Sequence, residues 1–196
     1  MDYGTLKERI QEMLGRPALT LAYDMANADL SDTLRIRQME TTVVLTATGG
    51  SITPPADYVS VQAMTNTDGG TFLNPIPQER FAAVEGTGDP AVYQVGADAI
   101  QIKPAPDDGH SITLVYYARL AELTADGDTN AALNGGSLDA FAYSVLSHHA
   151  NLIRDDAGSA FWAGKAIDSV NNANRAAIKG RFDGGFIDTK PAGTVV

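Results

Sequence analysis

The feature that most limits the fold of this 196-residue chain is a hydrophobic period that changes twice along its length. Apolar residues recur at three- and four-residue steps near the start, in short alternating runs through the middle, and at helical steps again toward the end. The middle stretch, from about Arg35 to Ala118, holds seven of the nine prolines. Proline removes a backbone donor, so each marks a turn or a sheet edge. The chain therefore reads as helices, then strands, then helices, and the two terminal helical parts are expected to pack together, because neither N-terminal helix can bury its apolar stripe alone.

The first helix is expected around Leu6, Ile10, Met13 and Leu14, with Thr5 and Glu8 as a capping box and Gly15 and Pro17 as its stop. A second runs from about Ala18 to Leu34, with Asn27, Asp29, Ser31 and Asp32 as a weak point near its middle. Strands are expected at 41–48, 58–65, 71–73, 91–95, 99–103 and 111–118. Asp107-Asp108-Gly109 reads as the turn of a hairpin joining the last two, and 78–84 reads as one or two helical turns. Ser137 is the expected N-cap of a third helix whose stripe is Leu138, Phe141, Ala142, Val145, Leu146, His149, Leu152 and Ile153. A fourth follows Asp155-Asp156, over about 157–179. Its inner face is mostly alanine (Ala163, Ala166, Ala173, Ala177) with Ile167 and Val170, and Gly180 closes it.

These elements give an α+β fold: a bundle of about four helices with a β-rich insertion, a small sandwich or barrel, between helices 2 and 3. Residues 1–34 and 119–180 supply the bundle, 35–118 the insertion, and 181–196 an extended tail, all in one structural unit. The tail carries three apolar anchors, Phe182, Phe186 and Ile187.

Composition narrows the chemistry. There is no cysteine, which removes disulfides, thiolate nucleophiles and Cys-based metal sites. With 24 acidic and 14 basic residues the net charge is −10, so tight binding to a phosphate backbone is not expected. The first residues have neither the basic nor the apolar region of a signal peptide, and no apolar run approaches the ~20 residues that cross a bilayer. An aqueous compartment is expected, and no membrane.

No catalytic, cofactor-binding or metal-binding residues emerge, and no enzyme is expected. On a helix His148 and His149 diverge by about 100° and cannot share a metal; His149 falls on the apolar stripe, and His110 is expected in solvent. Asp126-Gly127-Asp128-Thr129-Asn130 begins like a calcium loop. Ala131 and Ser137 then stand where that loop needs glycine and glutamate, so a polar linker is the better reading. Gly86-Thr87-Gly88-Asp89-Pro90-Ala91 lacks the helix a dinucleotide loop requires. Asp107, Asp108 and His110 on one turn make a weak metal signal. Of the aromatic clusters, one ring of Tyr116-Tyr117 is expected in the core and the other toward a partner. Trp162 reads first as packing, with ligand stacking as the alternative.

An ordered series of residues carries a resemblance. Gly88-Asp89-Pro90-Ala91-Val92-Tyr93, then Ile100-Gln101-Ile102-Lys103-Pro104-Ala105-Pro106, then Ile112-Thr113-Leu114-Val115-Tyr116-Tyr117 continue through Leu120, Leu123 and the 126–130 linker to Asp155-Asp156 and Phe161-Trp162. Upstream, 35–40 and Pro54-Pro55-Ala56-Asp57-Tyr58 belong to the same series. Over about 6–179 the chain resembles the head-to-tail adaptor (connector, or head-completion) proteins of tailed bacteriophages. The resemblance implies a helical bundle with a β insertion, forming a homo-oligomeric ring, usually of twelve copies, in the neck of the virion. Its implied partners are other copies of itself, the portal protein above, and tail or nozzle proteins below. DNA would pass through the channel without tight binding, and assembly would occur in the host cytoplasm. Candidate partner contacts are Phe182, Phe186, Ile187, Trp162 and Tyr117. Other readings are another virion or tail structural protein, a carbohydrate-binding module that presents Tyr93, Tyr116 and Tyr117, or a small hydrolase with scattered carboxylates.

Overall fold

Asp2, rather than Thr5, starts the first helix. Its carboxylate accepts bonds from the Thr5 backbone N–H (2.9 Å) and hydroxyl (2.7 Å), and these bonds hold its pKa below the ordinary value. An N-cap needs an extended residue whose side chain reaches back to the third helical N–H, and Asp2 meets that condition. Helix α1 (Tyr3–Leu14) ends at Gly15, whose φ of 67° is the left-handed conformation of a helix stop.

The computed structural model describes residues 1–182 and shows a mixed α+β fold with six helices and two sheets. The chain divides into two compact units, one formed by 1–38 with the segment from Leu120 onward, the other by Met39–Arg119.

In the first unit, α2 (Thr20–Thr33) runs unbroken through the suspected weak point. Ser31 there donates to the Asn27 carbonyl (2.8 Å) and accepts from the Leu120 N–H (3.1 Å), so a helix-breaking side chain is put to use. A short helix not expected from the sequence, α4 (Ala131–Asn134), is capped by Asn130, which accepts from Leu133 N–H. Gly135 follows where a Cβ would come within 2.6 Å of the Ala131 carbonyl and 2.7 Å of Ile36, an approach only glycine permits. Helix α5 (Leu138–Leu152) is the core of this unit and packs against α1, α2, α4 and α6 (Asp156–Phe182). Phe141, Val145 and Leu146 are fully buried on it.

Several expectations are corrected here. Ser137 stands at the start of α5, but its side chain makes no capping bond, and its buried hydroxyl finds no partner among the described residues. Leu152 and Ile153, placed on the stripe by spacing, are exposed where the helix runs out of neighbours. Helix α6 passes through Gly180 to Phe182, because an exposed glycine weakens a helix without stopping it unless φ turns positive. Along α6 the alanine face and Val170 are only half-buried, while Ile167 stands 60% exposed at its edge.

In the second unit, β1 (Glu40–Thr46), β7 (Ser111–Ala118) and β3 (Tyr58–Asn66) form an antiparallel sheet in the order β1-β7-β3. A second sheet runs β2 (Ser51–Ile52), β6 (Ile100–Lys103), β5 (Val92–Val95), β4 (Asn74–Pro75), with only β4 and β5 parallel. Met64, Ile112, Leu114 and Tyr116 from the first sheet meet Ile52, Tyr93, Ile100 and Ile102 from the second in one buried cluster. Helix α3 (Gln78–Ala82) is a single short element that buries Phe81.

The expected 107–109 hairpin does not form: β6 and β7 belong to different sheets. Pro104 and Pro106 take two donors out of any continued ladder. The turn instead docks on the end of β1, with Gly109 N–H on the Ala47 carbonyl (3.1 Å) and Gly49 N–H on Asp108 (2.8 Å). The tight turn sits at Gly49-Gly50, both at positive φ, where Thr48 and Ser51 exchange backbone bonds; the expected strand 41–48 therefore stops at Thr46. Residues 71–73 form a bridge to β3 rather than a strand.

Arg154 links α5 to α6 at a φ of 63°. Asp155 N–H bonds the Ala150 carbonyl (2.9 Å) and Arg154 N–H that of Asn151 (3.0 Å), the paired bonds of a left-handed helix stop. A Cβ costs about 1 kcal/mol there. Arg154→Gly should raise the melting temperature by roughly 2–4 °C; a scanning-calorimetry trace with no rise would show that Arg154 makes compensating contacts.

Candidate functional site

Each polar cluster singled out in the sequence has a structural occupation. The 126–130 segment cradles the start of α1: Asp126 and Asp128 accept, through their carbonyls, the N–H groups of Gly4 and Tyr3 (both 2.8 Å). Lys7 pairs with the Asp126 carboxylate. Asp128 accepts from Thr124 and Ala125 N–H (both 2.7 Å), and these bonds hold its pKa below the ordinary carboxylate value. Asn130 is buried and donates to Asn27 (2.9 Å). The carboxylates that suggested calcium are thus engaged in closing a loop.

His110 is not in solvent, as spacing suggested. Its Nε2 donates to the Asn66 side-chain oxygen (2.8 Å), an atom already accepting from Asp68 and Gly69 N–H, and Asp68 stands 3.6 Å from Nδ1. His148 meets Asp29 at 2.8 Å. His149 is buried, and its Nδ1 accepts the Leu19 N–H at 3.2 Å. The two histidines diverge, and among the described residues no three His, Asp or Glu side chains gather as a metal site.

What the molecule presents instead is surface. Helices α2, α5 and α6 enclose an open groove of about 470 Å³. Leu30 and Thr33, then Ser144 and Ser147, then Ala163, Ala166, Ile167 and Val170 line it, with His148 and Asp29 to one side. The small side chains of α6 leave that room. Farther along, Phe161 is 56% exposed, edge-on to Trp162. Trp162 itself is half-buried and stacks on Tyr143 at 5.7 Å, so it clamps α5 to α6 while its neighbour faces outward.

Strand β1 offers a second surface. It pairs with β7 through seven consecutive residues without a bulge, and it is an outer strand of its sheet. It carries no proline, lysine or glycine, and Val44 on its outer face is 59% exposed. The opposite outer strand, β3, has two register shifts, and 71–73 bonds along part of it. Nature usually blunts edges as β3 is blunted; among the described residues, 41–46 of β1 show no comparable register shift or added strand.

The contact residues named from the sequence fall unevenly. Tyr117 is 8% exposed, and Tyr116, donating to Asp57 at 3.0 Å, is 3% exposed; neither ring of the pair looks outward. With Tyr93 also at 8%, none of the three tyrosines forms a sugar-stacking platform. Phe182 ends α6, its side chain outside the described set, as are Phe186 and Ile187. Sequence reasoning missed Phe161, Ile167 and Val44, because exposure depends on what packs alongside.

A chain whose polar clusters brace its own loops, and whose open features are a helical groove and a sheet edge, belongs among proteins built to contact other proteins. The model of the SU10 adaptor protein family matches residues 1–184, and the chain belongs to that family, a family of phage head–tail adaptors. No curated protein matches the chain. It is a phage adaptor structural protein, and among the described residues no helix is long and apolar enough to cross a membrane.

His149 makes the helical unit sensitive to acid. Burial, reinforced by Arg16, lowers its pKa below the ordinary 6.5. Below pH 6.5 the unfolded chain takes up a proton that the folded chain resists, so stability is full above that pH and falls as acid is added. Urea midpoints should drop between pH 7.5 and 5.5, and His149→Gln should flatten that drop. An equal drop in the variant would assign it to other groups.

Proposed function

We propose that this chain is a subunit of a ring that joins the portal vertex of the capsid to the tail and extends the DNA channel. Membership in the adaptor family over 1–184 carries the reading. In this arrangement the helical unit is a bundle, the Met39–Arg119 unit is its β-rich insertion, and the residues from 181 onward reach other subunits. Neighbours in the ring, on the order of twelve by analogy with the family, contact one another through two different surfaces, as any head-to-tail ring requires. The portal protein and the tail or nozzle proteins are the other partners. The chain is placed in the virion neck after assembly in the host cytoplasm, and its role needs no catalysis.

Two physical features support the reading. Exposed apolar side chains at Phe161, Ile167 and Val44, together with an unblunted edge strand, favour a chain covered by neighbours in its working state. A net charge of −10 favours a channel through which DNA slides, since a basic lining would hold the phosphates.

Native mass spectrometry of the chain, alone and then with the portal protein of the same phage, tests it. A discrete complex with symmetry-matched stoichiometry is expected on mixing, whether or not the free chain is a monomer. A chain that remains monomeric beside a folded portal ring would overturn the proposal.

A further inference from the structure

The groove between α2, α5 and α6 has an apolar floor in Leu30, Ala166 and Val170, and its volume suits one or two large side chains. The chain itself contains a matching segment. Fourteen residues follow Phe182, and among them Gly184-Gly185 lead into Phe186 and Ile187, with Lys190 three residues on. Resting on the ring reading above, we propose that Phe186 and Ile187 of one copy seat in this groove of a neighbouring copy.

Length decides between the chain's own tail and a neighbour's. The groove runs along α6 from Asn174 to Ala163, and its apolar floor on that helix, at Val170 and Ala166, lies 12 and 16 helical residues before Phe182, or about 18 and 24 Å along the axis. Ile187 is five residues beyond Phe182 and reaches at most about 17 Å even when fully extended. A chain's own Phe186 and Ile187 therefore reach the polar near end at Asn174 but stop short of the apolar floor, whereas a neighbour's tail arrives from outside and is under no such limit. Because the tail and the groove are different surfaces, the contact is head-to-tail, the kind that propagates around a ring instead of closing a dimer.

The absence of cysteine makes the test clean. A chain carrying both Ala163→Cys and Ile187→Cys is assembled with the portal protein, checked by native mass, oxidised mildly and run on a non-reducing gel. A ladder of covalently linked chains is the expected result. An intact ring that yields no ladder, or only linkage within single chains, overturns the groove assignment and leaves the ring standing; absence of the ring overturns both. Ile167→Asp, an exposed change that spares the fold, gives a second readout. It should weaken assembly at least tenfold in the full chain and have no further effect in a chain ending at Phe182. An equal effect in both would show that the groove serves some other occupant.

Discussion

The helical unit depends on α5. An isolated helix of ordinary composition is marginal in water, and helices gain their stability by sharing a buried face. Here α1, α2, α4 and α6 all pack on α5, and its Phe141, Val145, Leu146 and His149 occupy the shared interior. Everything else in the unit follows from that sharing. Asp2 and the 126–130 loop fix where α1 begins, Gly135 lets α4 turn tightly into α5, and Arg154 takes a strained left-handed conformation to turn α5 into α6.

The way α6 meets α5 explains why the molecule presents a groove. A helix faced with alanine approaches closely but fills little volume, so the space beside Ala163, Ala166 and Val170 stays open and Ile167 is left at its edge. In a chain that functioned alone, such a face would be a liability. On the ring reading proposed above it is a surface for a neighbour, and the outer edge of β1 is another. Surfaces of these two kinds use different physics, side-chain burial in one case and backbone hydrogen bonding in the other.

Much of this was legible in the residues. The helical stripes, the punctuated central strands and the left-handed stop at Gly15 each follow from local geometry. The partial failures share one cause. Asp107-Asp108-Gly109 has the chemistry of a hairpin turn, yet its flanking strands lie in different sheets, because strand pairing is settled by distant segments and two prolines interrupt the ladder. Gly49-Gly50 was the turn signal that could have been read, and it marks where the chain crosses from one sheet toward the other. Tyr116 and Tyr117 do alternate across the strand, but both faces of β7 are covered at that point. His110 looked solvent-bound beside its turn until Asn66, 44 residues away, supplied a partner.

The sequence by itself determined the succession of helical, strand-rich and helical segments, the acidic character and the cysteine-free chemistry, because period, charge and residue inventory are properties of the chain alone. Only the tertiary structure decided which apolar residues face outward. Leu152, Ile153, Phe161 and Ile167 carry the same hydrophobic signal as the buried residues beside them. Their exposure depends on where the supply of neighbouring helices ends, and that is set by packing between segments far apart in the chain.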